Sequence, residues 1–162
     1  RERINAFTLQ DAGLGENDWL CIVGVDCDTR VRLRIAMENE TVTFKINSDD
    51  RLNGWSKEGA ADRILTGDGT VPYLGALSSF IPIEKVVCVT PADYGYWEIQ
   101  DRALTKLSGF HGIMPNMNML HRLIVRYFTG RDDPHGNTWG RRPPNIPEGR
   151  DWNPPLALRE KT

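Results

Sequence analysis

An aspartate between two glycines is the residue of this chain best suited to take part in chemistry. Asp68 stands in the run LTGDGTVPY at residues 65–73. The flanking glycines permit a tight turn and let another side chain approach the carboxylate. We expect the Thr70 hydroxyl to hydrogen-bond to that carboxylate and Pro72 to stiffen the exit from the turn. The pattern predicts a carboxylate held in one position, with a plain Asx turn on a surface loop as the alternative.

A histidine beside glycine could work with this carboxylate. His111 lies in the run SGFHGIMP at residues 108–115, after an apolar run at residues 83–90 and before the most amphipathic part of the chain. A loop between a strand and a helix can carry a side chain over the end of a sheet. An ordered carboxylate fixes the tautomer of an imidazole, which then acts as a general base. We therefore expect Asp68 to orient His111, with a surface or helix-capping histidine as the alternative.

Other acidic residues offer competing sites. Asp26 and Asp28 follow the first apolar run, where an α/β sheet also places functional carboxylates, so either could replace Asp68 as the acid. The Asp and His residues at 132–135 are interrupted by proline, which is more typical of a solvated segment than of a metal site. We predict no metal and no organic cofactor.

The apolar pattern indicates the strands that must position these residues. Residues 19–25 form a continuous apolar run and predict a buried parallel strand, and residues 83–90 predict a second, mostly buried strand. Residues 31–37 and 42–46 alternate between apolar and polar types on either side of a turn, which predicts a hairpin with one face in water. Residues 47–66, rich in Asp, Asn, Gly and Ser, predict a loop.

Two helices and a tail are predicted after these strands. Residues 97–107 predict a short amphipathic helix, and a longer one begins with Asn116 or Asn118 as its cap and ends at Gly130. Its apolar stripe, expected to lie on the sheet, comprises Met117, Leu120, Leu123, Ile124, Tyr127 and Phe128. Residues 131–162 hold six of the ten prolines and predict an extended tail that wraps another surface or stays mobile. Residues 1–130 would form the partial α/β domain.

Composition limits the possible partners. The chain has 162 residues, 20 Lys and Arg against 22 Asp and Glu, and a formal net charge of −2. A near-neutral balance argues against nucleic acid as a partner, because phosphate binding needs a basic surface. No segment reaches the roughly 20 apolar residues that span a bilayer. Cys21, Cys27 and Cys88 form no CxxC pair, which favours a reducing, cytoplasmic location.

The order of these features resembles the C-terminal third of an α/β-hydrolase, in particular the lipases similar to lecithin:cholesterol acyltransferase and phospholipid:diacylglycerol acyltransferase. The resemblance covers roughly residues 19–130 and is carried by the acid turn at residues 67–72, the following strand, His111 and the last helix. It implies part of an α/β-hydrolase sheet with an inserted hairpin, a C-terminal amphipathic helix and a Pro-rich tail. It also implies Asp68 as the triad acid and His111 as the base, in acyl transfer to water or an alcohol. Three apolar side chains would then line an acyl pocket: Phe110, Ile113 and Met114.

The chain departs from that family in one respect. It contains no Gly-x-Ser-x-Gly elbow, and no strand with a small-residue turn into a helix accompanies Ser48, Ser56, Ser78, Ser79 or Ser108. In the family the serine precedes the acid, and this chain begins Arg1-Glu2-Arg3 without an initiator Met or signal peptide. We therefore expect a missing N-terminal part to carry the nucleophile. We expect this chain alone to be inactive towards the acyl ester or lipid that the whole protein would use.

Two further interpretations follow from the same pattern. The chain could be a non-catalytic module that binds a protein through the hairpin edge and the Pro-rich tail, which predicts that Asp68 and His111 lie far apart. A sheet without its preceding strands would also expose an edge, so a homo-oligomer is possible.

Overall fold

In the part of the chain that the structure describes, short helices and three small sheets make up an α/β arrangement. A computed structural model of the chain describes residues 10–27, 29–30, 32–47, 67–95, 98, 100, 103 and 109–161. Apart from Asn47, the predicted loop at residues 47–66 lies outside this part, as does most of the predicted helix at residues 97–107. None of the helices within these ranges has the length and hydropathy needed to cross a bilayer.

The strands within these ranges are β1 (Ile22–Gly24), β2 (Arg32–Glu38), β3 (Thr41–Asn47), β4 (Val87–Val89), β5 (Trp139–Gly140) and β6 (Arg159–Glu160). The helices are α1 (Tyr73–Ala76), α2 (Phe110–Ile113) and α3 (Asn118–Thr129). Short 3-10 turns lie at Gln10–Ala12, Glu16–Asp18, Ile83–Lys85, Pro91–Asp93, Met114–Asn116 and Pro155–Ala157.

Strands β1 and β4 form a parallel pair at the centre of the core. The Val25 amide donates to the Val89 carbonyl at 2.8 Å, and the Val87 amide donates to the Cys21 carbonyl at 3.0 Å. All three residues of β4 are buried, because side chains cover both faces of the pair, and such strands read as continuous apolar runs. Both strands are shorter than predicted. The start of β4 is delayed because the chain first forms a 3-10 turn at Ile83–Lys85.

Strands β2 and β3 form a separate antiparallel pair inserted after β1. Asn39 and Glu40 join them with φ values of 49° and 63°, as a tight two-residue turn requires. The alternation of apolar and polar residues predicted that only one face of this hairpin is in water. That prediction is wrong, because the apolar face is also exposed to solvent. Its described side chains are between 49% and 71% exposed: Leu33, Ile35, Met37, Val42 and Phe44.

Helix α3 packs on the core with a face that is rotated from the predicted one. Met119, Leu120 and Leu123 are buried, whereas Ile124 is 44% and Phe128 is 80% exposed. Each residue turns the helix by about 100°, so Phe128 points about 140° away from Leu123. The stripe expected to lie on the sheet therefore loses Ile124 and Phe128 and gains Met119.

A carboxylate distant in sequence, that of Glu98, caps the N-terminus of α3 in place of the predicted asparagines. Met117 occupies the N-cap position without a side-chain hydrogen bond. The buried Glu98 carboxylate instead accepts hydrogen bonds from the amides of Asn118 and Gly95. It satisfies a helix-terminal N–H group that would otherwise lack a partner inside the helix. Gly130 ends the helix in a left-handed conformation with a φ of 62°.

The proline-rich segment at residues 139–161 packs on the sheet of its own chain. Arg141 exchanges two backbone hydrogen bonds with Cys88, at 2.9 and 3.0 Å, and so continues the sheet beyond β4. The Trp152 indole donates to the Val86 carbonyl at 2.9 Å. The segment predicted as an extended tail therefore covers the sheet edge of its own chain.

A buried carboxylate, Asp93, holds that segment in place. Arg141 donates to both Asp93 oxygens at 3.0 and 3.1 Å, Trp139 donates at 3.2 Å, and the Lys161 ammonium lies 3.4 Å away. Burial by itself raises the pKa of Asp93. The hydrogen bonds from Arg141, the Thr90 backbone and Trp139, together with the Arg141 charge, hold that pKa below its ordinary value of 3.8.

Removing the Asp93 charge tests how strongly this network holds the fold. We expect Asp93→Asn to lower the free energy of unfolding by about 3 kcal/mol near neutral pH, because Arg141 then stays partly buried without an anion. The lowered pKa means that the contribution of Asp93 is complete above the unfolded-state value near 3.8 and is lost as pH falls through the folded-state value. Urea titrations at neutral and acidic pH measure both effects.

The exposed carboxylate Asp151 supplies the matched control. We expect Asp151→Asn to change the free energy of unfolding by less than about 0.5 kcal/mol. Equal losses in the two variants, or an unchanged acid dependence in Asp93→Asn, would contradict this assignment.

Candidate active site

The turn that carries Asp68 leads directly into α1. Gly67 and Pro72 form an isolated antiparallel bridge, and the Asp68 amide donates to the Val71 carbonyl at 3.2 Å. Gly67 has a φ of 129°, and a side chain there would clash with the Val71 carbonyl. Only glycine fits this position without strain. The turn leaves Asp68 5% exposed.

Backbone amides hold one oxygen of the carboxylate. Oδ1 of Asp68 accepts hydrogen bonds from the amides of Thr70, at 2.9 Å, and Val71, at 2.7 Å. The sequence predicted a bond from the Thr70 hydroxyl, but the donor is the Thr70 backbone. Because both donors bind the same oxygen, Oδ2 is left to face a different partner.

That partner is His111, the second residue of α2. Its Nδ1 lies 2.7 Å from Oδ2 of Asp68, although the two residues are 43 positions apart in the chain. The His111 amide also donates to the Asp68 carbonyl at 3.0 Å, so the link involves both side chain and backbone. The Asp68 side chain is 8% exposed and the His111 side chain 46% exposed. The structure therefore brings together the two residues that the sequence singled out.

This geometry favours one tautomer of the imidazole. A hydrogen on Nδ1 of His111 can be donated to Oδ2 of Asp68, which leaves the lone pair of Nε2 unprotonated. Since the ring is partly exposed, Nε2 could take a proton from an approaching group. The arrangement can thus provide a general base whose orientation is set by a carboxylate.

The last residue of β1, Gly24, can lie against the Asp68–His111 pair because it has no side chain. A Cβ atom at Gly24 would lie 2.7 Å from Cβ of Asp68, 2.9 Å from Sδ of Met114 and 3.1 Å from Cε1 of Phe110. The pair therefore lies at the carboxyl end of a parallel strand, where α/β sheets place ligands. Gly24 was not predicted as part of the site, although a single glycine in an apolar strand is a known signal of close approach.

The three predicted pocket residues differ in their surroundings. Phe110 is 1% exposed and packs edge-on against Tyr94, with ring centroids 6.2 Å apart, so it belongs to the core. Ile113 and Met114 are half-buried beside it. The role of these three side chains in binding an acyl group stays a prediction.

Cys27 also lies near the acid turn. The Cys27 amide donates to the Gly67 carbonyl at 3.0 Å. Burial, with the charges of Asp26 and Asp68, raises the pKa of the Cys27 thiol to about 11. A thiol with this pKa is protonated at neutral pH and is a weak nucleophile.

The competing acidic sites have different environments. Asp26 is exposed, and Asp28 lies outside the described residues. Asp133 accepts hydrogen bonds from the amide and hydroxyl of Thr138, at 2.7 and 2.6 Å, and the hydroxyl bond is the main reason that the pKa of Asp133 falls to about 2. Across the described ranges, no three His, Cys, Asp or Glu side chains form a group that could hold a metal ion.

A comparison of the chain with protein-family models, with curated proteins and with solved structures finds no match. The contacts of Asp68 and His111 therefore carry the functional proposal.

A methyl group at Gly24 tests the close approach of β1 to the pair. We expect Gly24→Ala to lower the free energy of unfolding by about 1–3 kcal/mol, because the new Cβ must displace Asp68 or Met114. The displaced carboxylate should also lose its contact with His111. Urea unfolding measures the first effect, and the ¹⁵N shifts of the His111 ring measure the second.

Gly112→Ala provides the control, because a Cβ at Gly112 would meet no atom within 4 Å. This variant should keep both the stability and the ring shifts of the wild type. A Gly24→Ala protein that is as stable as Gly112→Ala would show that β1 does not crowd the pair.

Proposed function

We propose that residues 19–130 belong to a serine α/β-hydrolase of the lipase, esterase or acyltransferase type, similar to the lecithin:cholesterol and phospholipid:diacylglycerol acyltransferases. The observation that carries this proposal is the 2.7 Å contact between Nδ1 of His111 and Oδ2 of Asp68. Its position at the carboxyl end of β1 supports the proposal, because functional groups of open α/β sheets gather at that edge.

In this proposal His111 moves a proton during acyl transfer and Asp68 orients the imidazole. Nε2 of His111 takes the proton from a serine hydroxyl as its oxygen attacks the ester carbonyl, and then gives it to the departing alcohol. Asp68 keeps the ring in position and stabilises the imidazolium. Water or a second alcohol then loses a proton to Nε2 as it attacks the carbonyl of the acyl-enzyme, and Nε2 returns that proton to the serine oxygen as the bond between serine and the acyl group breaks.

The serine would come from a segment that precedes these residues. Of the serines considered, Ser78 and Ser79 are described, and they follow α1 in a loop and a turn, not an elbow from a strand into a helix. Within the described residues β1 pairs only with β4. The other edge of β1 is where a preceding strand would join the sheet. The chain alone would then be inactive.

The alternative, a non-catalytic interaction module, has one observation in its favour. The apolar face of the β2–β3 pair is exposed and could contact a protein. However, the Pro-rich segment on which this alternative also depends packs on the sheet of its own chain. The alternative also predicts that Asp68 and His111 are far apart, whereas their side chains are in contact.

Ester hydrolysis by the full-length protein tests the proposal. We expect Asp68→Asn and His111→Ala each to lower kcat by about 10⁴-fold, because either change removes an oriented base. A fluorophosphonate probe should label a serine outside this chain, and labelling should slow sharply in His111→Ala.

Two variants control for general effects of losing a charge or a histidine. Asp26→Asn removes the competing acid, and His121→Ala removes a histidine whose Nε2 lies 2.7 Å from the Pro115 carbonyl. Both should keep kcat within about threefold of the wild type. Full activity in both Asp68→Asn and His111→Ala would rule out the proposed roles, and a loss in Asp26→Asn alone would move the acid to Asp26.

A further inference from the structure

We propose that Thr29 is a positioning residue for the Asp68–His111 pair, an inference that rests on the proposed function. The Thr29 side chain is completely buried. Its hydroxyl donates to the Cys27 carbonyl at 2.9 Å and accepts a hydrogen bond from the Gly69 amide, also at 2.9 Å. Thr29 therefore links the segment after β1 to the residue next to Asp68.

The bond to Gly69 completes the hydrogen bonding of the acid turn. Three successive amides point inward: those of Thr70 and Val71 bind Oδ1 of Asp68, and that of Gly69 binds Thr29. Gly69 has a φ of 96°, which few other residues adopt. The same freedom lets a glycine move into other conformations. Thr29 holds the most adaptable residue of the turn in the conformation that presents the carboxylate.

The segment after β1 is hydrogen-bonded to the acid turn on both sides of Asp68. The Cys27 amide donates to the Gly67 carbonyl at 3.0 Å on one side, and Thr29 binds Gly69 on the other. The first contact is made by the backbone and survives any change of side chain. The second depends on one hydroxyl, which a substitution can remove.

Loss of the Thr29 hydroxyl should weaken the contact between Asp68 and His111 even while the chain remains folded. Without Thr29 the Gly69 amide loses this acceptor, and the Asp68 carboxylate is a strong acceptor in the same turn. A carboxylate that rotates towards Gly69 moves Oδ2 away from Nδ1 of His111. The imidazole then loses the acceptor that selects its tautomer.

NMR of the ¹⁵N-labelled full chain tests this role through the His111 ring. Two-bond ¹H–¹⁵N spectra at mildly alkaline pH report how much of the neutral ring carries its hydrogen on Nδ1. We expect the wild type to favour that tautomer and Thr29→Val to lower the tautomer ratio by about fivefold, as loss of one hydrogen bond implies. Thr29→Ser, which keeps the hydroxyl, should restore the ratio.

Thr138→Val makes the same chemical change at another buried threonine, whose hydroxyl binds Asp133 and Arg126. It should leave the His111 tautomer ratio unchanged. If Thr29→Val does not fold, Thr29→Cys replaces it, with a weak acceptor at the same position and an expected decrease in the ratio.

The outcomes separate this inference from the proposed function. If the wild type favours the Nδ1–H tautomer and Thr29→Val keeps that preference, with or without lower stability, Thr29 is only structural and the inference is wrong. Failure of Thr29→Ser to restore the ratio would also overturn it. A wild type without the preference would refute the proposed function together with the inference.

Discussion

The two oxygens of the Asp68 carboxylate bind different partners, and this arrangement fixes the geometry of the candidate site. Oδ1 of Asp68 is bound by two backbone amides of its own turn, and Oδ2 faces Nδ1 of His111. Each of these hydrogen bonds contributes only about 1 kcal/mol net. Together they fix an orientation, because the carboxylate cannot rotate towards solvent without giving up the amides and the imidazole at once.

The backbone around Asp68 has unusual conformations because it must provide these hydrogen bonds. A turn that aims two amides at the side chain inside it needs conformations open mainly to glycine, and Gly67 and Gly69 have φ values of 129° and 96°. The end of β1 must also come within contact distance, which Gly24 permits by lacking a Cβ. Three glycines from two parts of the chain therefore serve one carboxylate, so conformational freedom and close packing are both used at this site.

The sequence predicted the parts of this site that depend on local chemistry. A glycine-flanked acid and a histidine between a strand and a helix are visible in short runs, and the structure places Asp68 and His111 in contact. Features that depend on distant partners were missed. Arg141 is 48 positions from Asp93, and no spacing rule connects them. Periodicity shows that α3 has an apolar side but not where that side meets the core, so the exposure of Phe128 was not foreseen.

The buried carboxylates of Asp68 and Asp93 differ in whether their partners can exchange a proton. Asp93 is completely buried and is neutralised by Arg141 and Lys161. The guanidinium keeps its proton at any physiological pH, so the pair with Arg141 can hold the Pro-rich segment but cannot relay a proton. Asp68 instead faces a histidine whose side chain is 46% exposed and whose second nitrogen is a potential base. A histidine is the weaker choice for fixing a buried carboxylate, since unlike arginine it does not carry a permanent charge. Unlike arginine, it can take up and release a proton, and the proposed function depends on this property.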